Sequence, residues 1–163
     1  MNAIQLLKQQ HREVERCFRE IEQCGDDERE EIRRLFAELA DNLAAHADIE
    51  EELFYPEIKQ REEKKGMVQH AVEEHFEVKQ FLAQLLDMEV GSGEFLMTLA
   101  QLKDSVLSHV EEEEGEMFPD VQKLFGKEDL DSLGMEMKER FEELIGGEPR
   151  YEIRDQIEAP AQV

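Results

Sequence analysis

Apolar residues recur at steps of three or four along most of the chain, the spacing that gathers them on one face of an α-helix. Short polar or glycine-containing breaks separate five such stretches, and no stretch shows the sustained alternation that is typical of a strand. The pattern predicts helices over residues 3–23, 28–59, 66–89, 94–125 and 129–145. Four long amphipathic helices with short connections indicate an antiparallel up-down four-helix bundle, so we predict an all-α fold with an additional short C-terminal helix.

The breaks also divide the chain. We assign residues 1–126 to the bundle and residues 127–163 to a C-terminal helix and tail that pack on the bundle or on a partner subunit. Either arrangement buries the same apolar stripe, so the pattern leaves a monomer and a homodimer open. Pro56 and Pro119 lie late in the second and fourth helices, where the missing backbone N–H is expected to bend or end the helix.

The chain is strongly acidic. Its 163 residues include 42 Asp and Glu against 19 Lys and Arg, which gives a formal net charge of −23. Such a field repels phosphate, so we expect neither nucleic acid nor an anionic membrane as a partner, whereas cations are attracted. No apolar run approaches the roughly 18 residues that a membrane span requires, and the first residues lack the features of a secretory signal. We therefore expect a cytoplasmic protein.

A duplicated motif occupies the second and fourth helices. The pattern H-x-x-x-E-E-x-x-x-x-P begins at His46 and again at His109, an offset of 63 residues. A shorter pattern, H-x-E-V, begins at His11 in the first helix and at His75 in the third, an offset of 64 residues. The first two helices thus resemble a copy of the next two, and each half is predicted to be a helical hairpin with the same candidate chemistry.

The spacing within the motif suits a metal ion. Residues four apart on an α-helix differ by about 40° in azimuth, so a histidine and the glutamate four positions later can reach one point. These pairs lie in the apolar stripes of their helices, where an unpaired charge would be costly and where a cation removes that cost. Four histidines and two glutamates would hold two metal ions bridged by the glutamates. Coordination positions would stay open, which favours iron over a closed zinc site.

These residues resemble the hemerythrin-like family, also called HHE cation-binding domains, over about residues 4–125. The resemblance implies a non-haem di-iron centre with an oxo or hydroxo bridge, and it implies as metal ligands His11, His46, Glu50, His75, His109 and Glu113. Oxygen-carrying members have a further histidine at the position of Ala71 and an aspartate at the position of Glu114. The six-ligand set is more similar to the bacterial branch linked to nitric-oxide stress and the repair of iron centres.

Other residues near the motif are assigned outside the centre. His70 lies about 140° around its helix from His75, and Glu51 and Glu114 lie about 140° from the histidines of their motifs, so we place all three on the solvated surface. Tyr55 either donates a hydrogen bond near the site or closes one end of the bundle.

The two cysteines, Cys17 and Cys24, would lie about 10 Å apart on one helix, which is too far for a disulfide. We assign Cys17 to packing and Cys24 to an exposed position near a helix end, since neither has a thiolate-stabilising cluster.

We therefore predict a cytoplasmic di-iron binding protein that binds or reacts with O₂, peroxide or NO, in sensing, scavenging or iron handling under oxidative or nitrosative stress. Two alternatives stay open. One is a di-iron redox enzyme, such as a peroxidase, an NO reductase or an enzyme that repairs iron centres, and the other is an interaction module with a structural metal. A ferritin-like centre is less favoured, because such centres use Glu-x-x-His pairs and further glutamates.

Overall fold

The computed structural model describes residues 1–61, 66–160 and 163, and it contains helices and no strand within those ranges. The prediction of an all-α bundle with an additional short C-terminal helix is confirmed. The α-helices are, in chain order, α1 (Ala3–Glu22), α2 (Arg29–Ile49), α3 (Tyr55–Arg61), α4 (Met67–Leu86), α5 (Gly93–Glu112), α6 (Phe118–Leu124), α7 (Lys127–Gly146) and α8 (Ile153–Glu158). None of the helices in the described part of the chain is long and apolar enough to cross a membrane.

The long helices pack as two hairpins, α1 against α2 and α4 against α5. Polar side chains begin two of these helices by satisfying backbone groups that have no partner within a first turn. Asn2 and Gln5 form a capping box before α1, in which each side chain accepts a hydrogen bond from the backbone N–H of the other residue. At the start of α5 the Ser92 hydroxyl accepts a hydrogen bond from the Phe95 N–H.

A single π-helical turn interrupts each helix that carries the duplicated motif. The turns are Glu50–Phe54, between α2 and α3, and Glu113–Met117, between α5 and α6. In each turn a backbone N–H reaches the carbonyl five residues earlier, from Tyr55 to Glu50 and from Phe118 to Glu113. Pro56 and Pro119 follow directly. The helices therefore resume after the prolines, because the change in hydrogen bonding takes place one turn earlier.

Two apolar clusters fill the bundle and leave a polar layer between them. On α1 the change from one cluster to the other comes at His11, between Leu7 and Val14. On α4 it comes at His75, between Ala71 and Val78. The candidate ligands thus lie in the middle of the bundle, with apolar packing above and below them.

The C-terminal segment packs on its own bundle. The apolar stripe of α7 contacts α1 and α2, and Met137 is completely buried. The two helices approach closely at Gly134, where a Cβ would lie 2.6 Å from backbone atoms of Met1 and Asn2. The helix α8, which the apolar pattern does not predict, buries Ile153 against the core and contacts α4. Residues 161 and 162 of the predicted tail lie outside the described residues.

Candidate metal centre

Six imidazole and carboxylate side chains meet in the polar layer between the two apolar clusters. None of them is more than 6% exposed. They are the residues that the repeat singles out: His11, His46, Glu50, His75, His109 and Glu113. Burial of so many ionisable groups is costly unless they are paired with one another or with a cation.

The ligand atoms form two groups, within each of which they all lie within 4.8 Å of one another. The groups are His11 with His46 and Glu113, and His75 with His109 and Glu50. Glu50 also spans the two groups, because its Oε1 atom lies 3.0 Å from His46 Nε2 and 3.1 Å from His75 Nε2. A carboxylate in this position can contact an ion in either group.

Glu113 spans the groups from the opposite hairpin. Its Oε1 atom lies 3.0 Å from His11 Nε2, and its Oε2 atom lies 3.3 Å from His109 Nε2. Each of the two glutamates thus faces one imidazole from each half of the repeat. The arrangement has the approximate two-fold symmetry that the duplicated sequence predicts, and it would allow both carboxylates to bridge a pair of ions.

Outside the centre, two histidines donate hydrogen bonds to side chains of their own half. His46 Nδ1 lies 2.7 Å from the Gln10 carbonyl oxygen, and His109 Nδ1 lies 2.9 Å from a Glu74 carboxylate oxygen. Gln10 and Glu74 occupy equivalent positions, each directly before the histidine of the H-x-E-V pattern. A proton on Nδ1 leaves the Nε2 lone pair directed at the centre, which is the tautomer that metal binding requires.

The other two histidines face glutamates from the opposite half. His11 Nδ1 lies 2.7 Å from Glu114 Oε2, and His75 Nδ1 lies 3.5 Å from Glu51 Oε1. Glu51 is buried and accepts a hydrogen bond of 2.9 Å from Lys79, which is itself buried. The prediction that these two glutamates lie on the solvated surface is therefore wrong for Glu51, and Glu114 is only partly exposed.

The π turns explain this error. An azimuth of 100° per residue holds for an α-helix, whereas a turn closed by i to i+5 hydrogen bonds holds more residues and rotates less at each. Glu51 and Glu114 lie inside these turns, so they stay on the inner side of the bundle. Both are the second glutamate of the duplicated motif, and their repetition in the sequence is the signal that could have identified them. The same holds for Gln10 and Glu74.

Several ligand atoms have no hydrogen-bond partner among the described residues. They are His11 Nε2, His46 Nε2, Glu113 Oε1 and both carboxylate oxygens of Glu50. A buried polar atom that is left unsatisfied costs about 1–3 kcal/mol, so a centre with several of them is poorly stabilised by protein contacts alone. Metal ions placed between these atoms would use their lone pairs, and a set of imidazole and carboxylate donors fits transition-metal ions.

Burial and mutual attraction shift the pKa values of the metal-free centre in different directions. Burial lowers the pKa of His46 to about 3, so its imidazole is neutral. Burial also opposes the charge on His109, but the neighbouring Glu113 raises the pKa of His109 well above its usual value. Burial, together with the charge of Glu113, raises the pKa of Glu50. Protons therefore compete with metal ions for these groups, and metal binding is expected to weaken as the pH falls.

An aromatic side chain covers one histidine in each half. Tyr55 is fully buried, and its hydroxyl donates a hydrogen bond of 2.7 Å to Glu113 Oε2 and lies 3.2 Å from His75 Nε2. Phe118 occupies the equivalent position in the other half and stacks on His11, with 6.0 Å between the ring centroids. Of the two alternatives for Tyr55, the hydrogen bond to the centre is the one that the structure shows.

The remaining candidates lie outside the centre. His70 is 60% exposed, and its Nε2 atom lies 3.0 Å from Glu112, whereas Ala71 faces the core. Cys17 is buried, Cys24 is half-buried, and both are free thiols. Burial raises the pKa of Cys17 to about 11, which agrees with its assignment to packing.

A small apolar cavity adjoins the four histidines. Its volume is about 30 Å³, and its other walls are mainly aliphatic, including Val14, Val78 and Val106. Lys79 lies at the same cavity. A space of this size holds about one water molecule or a ligand of two heavy atoms.

A helical bundle with this buried donor set is a metal-binding bundle, and comparison with known families agrees. The model of the hemerythrin HHE cation binding domain matches residues 2–145. The chain therefore belongs to the hemerythrin HHE cation-binding family.

Two similar proteins cover most of the chain. The crystal structure of a hemerythrin HHE cation binding domain-containing protein from Mycobacterium kansasii superposes with a TM-score of 0.81 at 27% identity, covering 96% of this chain and 94% of that one. A protein from Nostoc sp. named DNA nickase is 28% identical over 151 residues, which are 91% of this chain and 42% of that protein. The chain thus spans about two fifths of the length of this curated relative.

Proposed function

We propose that the chain binds two iron ions in the middle of the bundle and uses them to bind or react with O₂, NO or peroxide. The proposed ligands are His11, His46, Glu50, His75, His109 and Glu113. The observation that carries the proposal is the meeting of two equivalent donor groups whose inward atoms lack hydrogen-bond partners among the described residues. When bound, the iron pair would supply electrons to a small oxidant.

The surrounding residues suit a small, uncharged or weakly charged ligand. The cavity of about 30 Å³ beside the histidines excludes most organic substrates by size. Its aliphatic walls limit the approach of water, which lengthens the lifetime of a bound gas molecule. Burial and the charge of Glu113 raise the pKa of Tyr55 well above its usual value, so the phenol keeps its proton and holds Glu113 in place. We further propose a role in sensing, scavenging or iron handling in the cytoplasm.

The name of the Nostoc relative describes that protein, and we do not extend DNA nicking to this chain. The net charge of −23 opposes the approach of a phosphate backbone. We expect iron-loaded protein to leave supercoiled plasmid DNA intact under conditions in which it binds NO. Nicked plasmid that disappears in His75→Ala would overturn this part of the proposal.

Metal analysis tests the proposal most directly. Protein that is reconstituted with Fe²⁺ without oxygen and then freed of excess metal should contain two iron ions per chain. Fewer than one would contradict a di-iron centre. The absorption spectrum should then change on addition of O₂, NO or peroxide, and an unchanged spectrum would favour a structural metal. Many turnovers of peroxide or NO with a chemical reductant would instead make the protein an enzyme.

A pair of histidine variants tests the ligand assignment. His75→Ala should lose most of the bound iron, because it removes a ligand from the centre, whereas His70→Ala should retain about two ions. The two histidines lie on the same helix, so His70→Ala controls for the loss of an imidazole from α4. Equal losses in the two variants would contradict the ligand assignment.

A further inference from the structure

A second group of possible metal ligands lies at the surface beside the centre. His70 Nε2 is 3.0 Å from Glu112 Oε2 and 3.7 Å from Glu74 Oε2. One ligand atom from each of these three residues lies within 4.8 Å of the others. His70 is exposed and the two glutamates are half-buried, so the group is accessible to ions from solution.

A cavity connects this surface group with the interior. Its volume is about 220 Å³, and it is lined by all three members of the group and also by His109 and Glu113. Glu113 is 2% exposed, and its Oε1 atom has no hydrogen-bond partner among the described residues. A buried carboxylate with an unused lone pair therefore lies at the inner end of a space whose outer end holds an exposed imidazole and two carboxylates.

Glu74 joins the two ends. One of its carboxylate oxygens accepts a hydrogen bond of 2.9 Å from His109 Nδ1, and the other faces His70. Two further acidic residues, Glu116 and Asp120, line the same cavity. Acidic walls around a cleft concentrate cations and raise their rate of association, so the electrostatic field favours this route into the bundle.

We propose that His70, Glu74 and Glu112 form a loading site, where a divalent cation binds weakly before it moves through the cavity to the central ligands. The inference rests on the proposed metal centre for its destination. The loading site itself does not depend on the identity of the central metal, since its three ligands stand outside the six. Imidazole with carboxylate oxygens accepts Fe²⁺ or Mn²⁺, and the exposure of His70 keeps binding weak enough for release.

Binding at the loading site can be tested with Mn²⁺ alone. Sub-stoichiometric Mn²⁺, added to protein that has been incubated with Zn²⁺, should broaden the His70 ring-proton NMR signals, which are identified by their absence from His70→Ala. Glu112→Gln should weaken this effect about tenfold, because it removes one of three ligands. Glu111→Gln is the matched control, since Glu111 is exposed, adjacent and outside the cavity. Equal broadening in the two variants would overturn the loading site, whether or not the centre holds metal.

The rate of iron uptake tests the function of the site. Metal-free protein is mixed with Fe²⁺ without oxygen, and a chromogenic chelator reports the iron that remains free. The double variant His70→Ala/Glu112→Gln should take up iron about tenfold more slowly but reach the same two ions per chain. Gln69→Ala/Glu111→Gln, with the same change of charge, should load at the wild-type rate. Equal rates for the two double variants would overturn the proposal, whereas a lower final content in wild type would contradict the di-iron centre instead.

Discussion

The two halves of the bundle present the same four histidines and two glutamates in different surroundings. In the first half, His46 donates to the neutral amide of Gln10, and the apolar ring of Phe118 covers His11. In the second half the equivalent positions are charged or polar, because Glu74 accepts from His109 and the hydroxyl of Tyr55 lies beside His75. Duplication thus preserved the ligands while their outer partners diverged.

The partners of the second glutamates differ in the same way. Glu114, which contacts His11, pairs with the exposed guanidinium of Arg12. Glu51, which contacts His75, pairs with the buried ammonium of Lys79. The histidines of the second half therefore face two carboxylates, whereas those of the first half face one carboxylate and one amide. Carboxylate partners make imidazole a stronger ligand, so the two metal positions are expected to bind with unequal affinity.

The largest expected effect comes from the buried ion pair of the second half. Lys79→Met should lower the free energy of unfolding of the metal-free protein by about 3–5 kcal/mol, because it leaves the Glu51 carboxylate buried without its cation. Arg12→Met removes the equivalent partner at the surface and should cost less than about 1 kcal/mol, since water replaces an exposed partner. Urea unfolding at pH 7 measures both values.

A double variant provides the control for this result. Glu51→Gln/Lys79→Met removes both charges and should recover most of the stability that Lys79→Met loses, because no unpaired charge remains. If Lys79→Met cost no more than Arg12→Met, the two halves would be equivalent in this respect, and the contrast between their outer partners would not hold.

The next effect concerns the aromatic residue above each histidine. Tyr55→Phe makes the second half resemble the first and removes the hydrogen bond to Glu113. Hydrogen bonds to charged groups contribute about 1.5–3 kcal/mol, so the metal-free variant should lose stability in that range on urea unfolding. Tyr151→Phe, at an exposed position, should leave the unfolding midpoint unchanged. A Tyr55→Phe protein as stable as wild type would show that the hydroxyl does not support the centre.

A smaller effect is expected from the partner of His109. Glu74→Gln gives the second half the neutral amide that the first half has at Gln10, and it should lower the affinity of one of the two ions about tenfold. The affinities of the two positions would then become more similar. Competition with a chelator of known affinity, under anaerobic conditions, measures both constants. Glu73→Gln, at the exposed neighbouring position, carries the same charge change and should alter neither constant.

The sequence predicts the part of the structure that repeats. Helical periodicity locates the five main helices, and the offsets of 63 and 64 residues identify six side chains that meet in space. The short helix α8 is not predicted, because six residues do not complete two turns of an amphipathic pattern. The positions of Glu51 and Lys79 are not predicted either. The first depends on a π turn that local spacing does not reveal, and the second depends on how the two hairpins cross.

The smallest expected effect concerns the thiols, which occur only in the first half. Residue 81, equivalent to Cys17 by the 64-residue offset, is Phe. With a pKa of about 11, Cys17 is about one part in a thousand thiolate at pH 8, and its sulfur is buried in the core. A disulfide reagent should therefore modify one thiol of the folded protein rapidly, and Cys24→Ser should abolish that fast phase while Cys17→Ser leaves it intact. A fast phase that survives in Cys24→Ser would show that the core of the first half opens more readily than its packing indicates.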